Sequence, residues 1–352
     1  MENMVGIQHS SSREKDFVEV LGLRKEIEKI QSTIADFEMG KKLNIAIVAE
    51  PLKGKTTLSD KIERINLNRA AKITFSKIVQ NKNEIFPPDD TKKIVILDNC
   101  HFLYMRKPGG FDIFYEFLDM ISFQNRIFIT TWNIYSWKFL NEAFGLGKYF
   151  PVQIFIPAFE KENLRLFILK RYEKDEIKFT KDEESEEEPL FYIMKYPLEL
   201  ALLGKKIFIL VPKINISYLK NRLLKKQKIE AAEDQVFEKL YLESKGNPGI
   251  ALRIWELGLD YPVMKPKNIG QFSYEVDLEY EEAFTLSLIL SYQGLTKSEI
   301  TEIMGSMARV DKILYQLLSQ ELILKDENDT YRVRPEALSS VTTYMEKLRL
   351  VW

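Results

Sequence analysis

The feature that most restricts the fold of this chain is a short glycine-lysine-threonine loop, Gly54-Lys55-Thr56, which follows an apolar run ending at Ala49. Such a loop needs a strand before it and a helix after it, because backbone N–H groups at the helix start must converge on one anion. The residues after Thr56 have helical patterning, so this context is present. The pattern departs from G-x-x-x-x-G-K-[ST] at Ala49, which stands in place of the first glycine.

The loop predicts a site for the phosphates of ATP with Mg²⁺. Gly54 allows the backbone to approach the phosphates, Lys55 neutralises β- and γ-phosphate oxygens, and Thr56 ligates the metal ion. The alternative is a chance strand, loop and helix. No guanine-specificity motif is visible, so adenine is the expected base. The predicted nucleotide-binding residues of the loop are Ala49, Glu50, Pro51, Leu52, Lys53, Gly54, Lys55, Thr56 and Thr57.

A second apolar run ends in an acid, Asp98, as an Mg²⁺-binding strand requires. The carboxylate is predicted to hold Mg²⁺ through its water shell, together with Thr56. A helix cap is the alternative reading of Asp98. His101 follows as a candidate phosphate sensor or a structural histidine. The next loop carries Arg106 and Lys107, which either reach a nucleotide or a neighbouring subunit, or are exposed.

Four apolar runs alternate with helical patterning, which predicts an α/β fold with a parallel sheet covered by helices on both faces. The end of the third run leads into the polar segment Thr130-Thr131-Trp132-Asn133, and the carboxyl ends of parallel strands form the usual ligand edge. Asn133 or Thr131 is therefore a candidate γ-phosphate sensor, with capping of the next helix as the alternative for Asn133. The runs span residues 44–49, 93–97, 126–131 and 152–157.

The 352 residues are too many for one ordinary hydrophobic core. We predict an N-terminal helical segment at 1–40, whose apolar period runs from Arg13 to Phe37, and a P-loop ATPase domain at 41–158. A helical lid domain follows at 159–270 and includes an acidic loop, Asp182 to Glu188, which resembles a solvated loop more than a metal site. A helix-rich segment with a terminal strand pair predicts a winged-helix domain at 271–352.

Charge and cysteine content limit the possible partners and compartments. Lys and Arg number 51 against 52 Asp and Glu, so the chain has no global attraction to nucleic acid or an anionic membrane. Cys100 is the single cysteine, and the first residues do not resemble a secretory signal, so a cytoplasmic location is expected. The apolar tract at 190–212 contains lysines, prolines and a glutamate, so no transmembrane segment is expected.

These motifs resemble the AAA+/STAND group of P-loop ATPases, especially archaeal ATPases of the origin-recognition-like and signal-transducing kind. The resemblance includes the box Leu21-Gly22-Leu23-Arg24-Lys25-Glu26, both nucleotide motifs and the strand ending at Asn133. It also includes the segment from Ser244 to Trp255, which resembles the glycine-x-proline turn of a lid that closes over the base. It implies ATP and Mg²⁺ as cofactors and Pro248 as a further nucleotide contact.

The chain departs from this group at three positions. Asn99 stands where a glutamate would polarise the attacking water, and an amide is no general base. Gly249 stands where a sensor arginine is common, and Arg253, one turn later, is the substitute candidate or an ordinary surface residue. The segment that carries an arginine finger in oligomeric members holds only Lys148 as a cation. Slow hydrolysis is expected, with Asn99, Asn133 and Arg253 as catalytic candidates.

Three functions remain open at this level: a nucleotide-dependent switch, a DNA-binding initiator or loader, and a scaffold that binds nucleotide without turnover. A protein partner is expected for the switch, DNA is a possible partner of the winged helix, and the oligomeric state stays open. Five cations in the C-terminal segment could contact phosphates, and nearby acids oppose them. The cations are Arg309, Lys312, Lys325, Arg332 and Arg334, and the acids are Glu321, Asp326, Glu327 and Asp329.

Overall fold

The computed structural model describes residues 21–86, 91–181, 191–200, 205–214, 225–270, 274, 276–305 and 308–349. The predicted acidic loop, Asp182 to Glu188, lies outside these residues, as does the part of the predicted N-terminal helix before Leu21. None of the helices in the described part of the chain has the length and apolar character needed to cross a bilayer.

A parallel sheet of five strands forms the centre of the first half of the chain. Its strands are β1 (Ile45–Ala49), β2 (Ala70–Thr74), β3 (Ile94–Asp98), β4 (Ile127–Asn133) and β5 (Val152–Phe155). They are hydrogen-bonded in the order β2-β3-β4-β1-β5. Every residue of β1, β3 and β4 is buried, which explains why these strands appear as continuous apolar runs in the sequence. Edge strand β2, partly exposed, is absent from the sequence prediction.

Helices cover the two faces of this sheet, as predicted. They are α1 (Arg24–Glu38), α2 (Lys55–Ile65), α3 (Asp112–Phe123), α4 (Ile134–Phe144) and α5 (Lys161–Leu169). From β1 the chain crosses through α2 to β2 at one edge, and it returns through α3 and α4 to β5 at the other edge. Because parallel crossovers are right-handed, opposite directions place α2 on one face and α3 and α4 on the other.

The crossover direction reverses between the neighbouring strands β1 and β4. In open α/β sheets, ligands bind outside the carboxyl ends of the strands at such a point. Ala49 and Asn133, the last residues of β1 and β4, are paired across it. The topology therefore places the glycine-lysine-threonine loop and the end of β4 beside one another.

The N-terminal helix α1 packs its apolar stripe against the sheet core. Its buried residues are Ile30, Thr33 and Ile34, which lie three and four positions apart. Ile30 and Ile34 join the core cluster formed by the strand residues of β1, β3 and β4. This matches the helical period predicted for the part of the segment that the structure describes.

The described residues form two compact units. One comprises Met1–Arg171, Tyr241–Ile254 and Gln271–Trp352, and the other comprises Tyr172–Leu240 and Trp255–Gly270. The predicted lid at 159–270 therefore contributes to both units. The four domain boundaries stay predictions.

The second unit contains short strands, a hairpin and parts of two helices. Its elements are β6 (Lys178–Phe179), β7 (Phe191–Leu200), β8 (Lys205–Ile214), α6 (Lys225–Ser244), α7 (Pro248–Gly258) and β9 (Val263–Met264), with both helices continuing across the unit boundary. β7 and β8 pair antiparallel, a hairpin that the sequence analysis does not predict. The Trp255 ring stacks on Phe237 with centroids 5.6 Å apart, and its Nε1 donates to the Tyr172 hydroxyl at 3.0 Å.

Residues 280–347, called the C-terminal domain below, contain the three helices and the strand pair expected from the sequence, with a short strand after the first helix and one more helix at the end. The winged-helix fold stays a prediction. The elements of this domain are α8 (Tyr280–Tyr292), β10 (Leu295–Thr296), α9 (Lys297–Met304), α10 (Val310–Ser319), β11 (Ile323–Lys325), β12 (Thr330–Val333) and α11 (Leu338–Lys347). The three strands pair antiparallel in the order β10-β12-β11. Most residues of α8 are buried, and it contacts α4 of the sheet domain as well as α10 and β12.

Candidate functional site

The loop between β1 and α2 has the backbone conformation that an anion cradle requires. Gly54 has φ 83° and ψ 22°, in the left-handed region that glycine adopts without steric cost. α2 begins at the next residue, Lys55. The first N–H groups of a helix have no partner within it, and they form its positive end. These groups therefore lie where the sequence predicts phosphate binding.

The Lys55 side chain turns back into the loop. Its Nζ donates to the carbonyl oxygens of Ala49 at 3.1 Å and Glu50 at 2.8 Å, and the residue is buried. Burial lowers the pKa of Lys55 to about 7, although the nearby carboxylates of Asp98 and Glu50 favour the charged form. An anion in the loop would stabilise the ammonium further, so phosphate binding and protonation of Lys55 favour each other.

Asp98 offers a buried carboxylate at the end of β3. Thr131, on the neighbouring strand β4, donates from Oγ1 to Asp98 Oδ1 at 2.5 Å. Among the residues that the structure describes, Asp98 Oδ2 has no hydrogen-bond partner. A buried carboxylate oxygen without a hydrogen bond is costly, and the Lys72 ammonium 3.8 Å away compensates this cost only in part. Asp98 therefore fits the predicted Mg²⁺ site, with Thr56 in the first turn of α2 as the second protein ligand.

Asn99 occupies a conformation that explains its residue type. Its backbone is left-handed, with φ 63° and ψ 45°, a region that asparagine tolerates better than glutamate. The side chain points towards the end of β2, where Nδ2 donates to the Phe75 carbonyl at 3.1 Å. The backbone N–H donates to Thr131 Oγ1 at 2.8 Å. The water-orienting role stays a prediction, beside this structural role.

The start of α7 holds the tip of the loop. Asn247 caps the helix, since its Oδ1 accepts from the Gly249 N–H at 3.1 Å, and its Nδ2 donates to the Pro51 carbonyl at 2.9 Å. A Cβ atom on Gly249 would lie 2.6 Å from Leu52 Cβ, so only glycine fits there without movement. This contact explains why no arginine occupies position 249.

Pro248 is the nucleotide contact expected from the sequence, and Asn247, which bonds to the loop, is not among the expected residues. Pro248 is the first residue of α7, where the missing N–H of proline carries no penalty. An asparagine directly before a helix-initial proline is a signal for an N-cap, and that signal could have identified Asn247. Arg253, one turn further along α7, has its Nε 3.9 Å from Glu336 Oε2 in the C-terminal domain. Its predicted sensor role stays a prediction.

Asn133 joins the end of β4 to the C-terminal domain. Its Oδ1 accepts from the Tyr135 N–H at 3.2 Å, which is the capping role considered from the sequence. Its Nδ2 donates to the carbonyl oxygens of Leu290 at 2.6 Å and Ser291 at 2.8 Å, near the end of α8. The residue is fully buried. A phosphate-sensing role would require the amide to exchange these bonds.

The loop that carries Arg106 and Lys107 also contacts the C-terminal domain. The Arg106 guanidinium lies between the rings of Phe139 and Phe284, 4.4 Å and 5.2 Å from their centroids. Lys107 Nζ is 2.5 Å from Glu302 Oε1. Both side chains are thus partly exposed and engaged within the chain, and their contact with a nucleotide or a neighbouring subunit stays a prediction.

His101 is a buried, neutral residue. Its Nε2 lies 3.5 Å from the side-chain nitrogen of Gln293. Burial lowers the pKa of His101 well below its usual value, and the positive charges of Lys55 and Arg332 lower it further. This supports the structural reading of His101. A cavity of about 150 Å³ lies nearby between the loop and the C-terminal domain, and its lining includes Pro51, Leu52, Gln293 and Arg332.

Comparison with known proteins gives structural neighbours alone. No protein-family model and no curated protein matches the chain. It is similar to the RuvB Holliday junction branch migration motor of Thermotoga maritima, with 12% identity, coverage of 91% of this chain and 94% of that chain, and a TM-score of 0.41. The Orc1 protein of Aeropyrum pernix in complex with DNA matches at 12% identity over 96% and 98%, with a TM-score of 0.43. Cdc6p of Pyrobaculum aerophilum matches at 10% over 99% and 97%, with a TM-score of 0.42.

Proposed function

We propose that this chain is an ATP-binding switch of the AAA+/STAND type, in which nucleotide in the loop at 49–57 controls how firmly the C-terminal domain is held. The observation that carries the proposal is the position of Asn133. It ends the strand beside the loop, and it donates both amide hydrogens to the α8 carbonyls of Leu290 and Ser291. One side chain thus belongs to the phosphate edge and to the domain contact.

Further hydrogen bonds surround this contact. Ser136 Oγ donates to the Ser291 carbonyl at 2.7 Å and accepts from the Tyr104 hydroxyl at 3.1 Å. The Arg106 N–H donates to the Tyr292 hydroxyl at 3.1 Å. A ligand can shift a domain equilibrium only through its different affinities for the two arrangements. A γ-phosphate that competes for the Asn133 amide would supply such a difference.

The chain's own groups perform the binding step. Lys55 exchanges its bonds to the Ala49 and Glu50 carbonyls for phosphate oxygens, and the start of α2 provides backbone donors. Thr56 and Asp98 would hold Mg²⁺, which would supply charge neutralisation at the phosphates. Hydrolysis is slow, because the residue after Asp98 is an amide bonded to the Phe75 carbonyl and offers no base to the attacking water.

Hydrogen exchange of the full chain with and without ATP tests the proposal. ATP with Mg²⁺ should increase amide exchange at the end of α8, and Lys55→Ala should abolish this response. Asn133→Asp should raise exchange there without nucleotide. The aspartate keeps the oxygen that caps α4, but it replaces the amide donor with a second acceptor that faces the Leu290 and Ser291 carbonyls. Loss of a buried hydrogen bond costs about 1–3 kcal/mol.

Asn141→Asp is the matched control, because it makes the same change in α4 at a residue whose Oδ1 accepts from Gly147. Exchange at α8 in this variant should equal that of the parent. If ATP binds tightly and α8 exchange does not change, the chain is a nucleotide-binding scaffold and the switch is wrong. Single-turnover hydrolysis then measures whether bound ATP is cleaved at all.

The DNA-binding alternative depends on the winged-helix outline. Three of the five candidate cations form ion pairs within the domain, which reduces the charge available to phosphates. The pairs are Lys325 with Asp329, Arg332 with Asp326, and Arg334 with Glu336. For this reason we favour a protein partner that binds the released domain in the cytoplasm. Salt-dependent binding of duplex DNA by the full chain would reverse that preference.

A further inference from the structure

A second ammonium group lies beside the predicted Mg²⁺ ligand. Lys72, in the middle of β2, has a side chain only 7% exposed, and its Nζ lies 3.8 Å from Asp98 Oδ2. This is the carboxylate oxygen that has no hydrogen-bond partner among the described residues. Lys72 also forms an ion pair with Asp60 of α2. The lysine is therefore shared between a buried carboxylate and a more exposed one.

The local geometry places these groups in one space. Lys72 pairs with Ile96 in the parallel register of β2 and β3, so it shares a sheet face with Asp98, two residues further on. Asp60 lies four residues after Thr56, one turn along α2 on the same side of the helix. The two predicted Mg²⁺ ligands and the Lys72–Asp60 pair thus face each other where α2 covers the sheet.

We propose that Lys72 is a built-in counter-ion that sets the metal preference of the nucleotide site. Its ammonium competes with Mg²⁺ for Asp98 Oδ2, so the site binds metal-free ATP nearly as well as ATP with Mg²⁺. The inference rests on the proposed ATP binding and adds a specificity-determining residue to that site.

Asp60 explains why the competition weakens metal binding without excluding it. Its side chain is 44% exposed, and it forms an ion pair with the Lys72 ammonium. When Mg²⁺ approaches Asp98, the ammonium keeps this second partner and moves away from a like charge. Repulsion between cations a few ångströms apart is large in a buried site and modest near solvent.

Calorimetric titration of the full chain with ATP, in EDTA and at a series of Mg²⁺ concentrations, tests the proposal. The measured quantity is the affinity for ATP at saturating Mg²⁺ divided by the affinity for ATP in EDTA. Lys72→Met keeps the apolar stem and removes the charge, so it should raise the preference for Mg²⁺ by about tenfold. Lys72→Arg retains the charge and should resemble the parent. Asp98→Asn combined with Lys72→Met should cancel this gain, because the carboxylate that the ammonium and Mg²⁺ compete for is then absent.

Lys92→Met is the matched control, since Lys92 Nζ donates to the Asn68 carbonyl near the opposite end of β3. It should leave the ratio unchanged. If Lys72→Met still binds ATP in EDTA and its affinity ratio is no larger than that of the parent, Lys72 does not set the metal preference. The proposed ATP site is unaffected by that result. Loss of ATP binding by the parent under both conditions overturns the proposed function itself. If Lys72→Met fails to fold, the parent alone decides: a strong preference for Mg²⁺ contradicts the proposal.

Discussion

Gly249 at the start of α7 lies against Leu52 at the tip of the glycine-lysine-threonine loop, so closely that a Cβ on Gly249 would stand 2.6 Å from Leu52 Cβ and 2.9 Å from the Leu52 carbonyl. The Asn247 amide bonds to the neighbouring Pro51 carbonyl. The loop is therefore shaped from outside by another helix as well as by its own sequence.

Gly249→Ala should displace the loop tip and weaken ATP binding on the order of tenfold, since overpacking of this kind costs about 1–3 kcal/mol. Leu52 has a positive φ of 65°, so Leu52→Gly is compatible with the backbone and removes one clashing atom. The double variant should bind ATP better than Gly249→Ala alone. Additive losses in this double-mutant cycle would show that the two residues do not act on each other.

Lys55→Ala should lower the affinity for ATP by on the order of 100-fold, because it removes a charge-assisted bond to phosphate. Equilibrium binding and thermal unfolding of the full chain measure the affinity and the integrity of the fold. Lys41→Ala serves as the control, since Lys41 lies before β1, outside the predicted loop, and forms an ion pair with Asp36 at 3.0 Å. Equal ATP affinity in Lys55→Ala and the parent would refute the phosphate site.

The parent should hydrolyse ATP well below the roughly 1–100 s⁻¹ of efficient phosphoryl-transfer enzymes. Asn99→Glu should raise turnover by less than the roughly 100-fold typical of a well-placed base. The left-handed backbone and the lost bond to Phe75 should also lower the free energy of unfolding of this variant by about 1–2 kcal/mol. Asn99→Gly should be more stable than Asn99→Glu in urea. Rapid turnover by the parent would contradict the predicted role of Asn99.

His101 should make stability depend on pH below its usual pKa. Above about pH 6.5 the imidazole is neutral in both the folded and unfolded chain, so it contributes nothing. Below that pH the unfolded chain binds a proton that buried His101 resists, and stability falls by up to about 1.4 kcal/mol per pH unit. Thermal unfolding between pH 7.5 and 5 should be less pH-dependent in His101→Gln. Parallel curves would show that His101 titrates normally.

The sequence predicts the strands that are buried on both faces and the residues at their ends. Ala49, Asp98 and Asn133 come from continuous apolar runs, because β1, β3 and β4 are covered on both sides. Edge strand β2 lacks such a run, with Lys72 at its centre, and an isolated five-residue stretch of this kind carries no periodic signal. Lys72, which lies beside Asp98, is therefore absent from the sequence prediction, as is the strand that carries it.

Contacts between distant segments account for the rest. Asn133 has one capping bond that its local sequence predicts, and two bonds to α8 that depend on residues more than 150 positions away. From the sequence, Gly249 is notable because an arginine is expected at its position. The fold shows that Leu52 leaves no space for a side chain there. From the sequence, Asn99 is notable because it replaces a glutamate that would act as a base. The fold adds that its left-handed backbone favours asparagine over glutamate.

Helix α8 is buried on nearly all sides, with ten of its thirteen residues inside the protein. A fragment that ends before α8 would expose the ring of Tyr104, which lies 5.0 Å from Tyr292, and would leave the Asn133 amide without its carbonyl partners. Such a fragment should aggregate when expressed alone. Replacing this C-terminal domain with one from another protein would require rebuilding both surfaces around α8, so the two parts are not interchangeable modules.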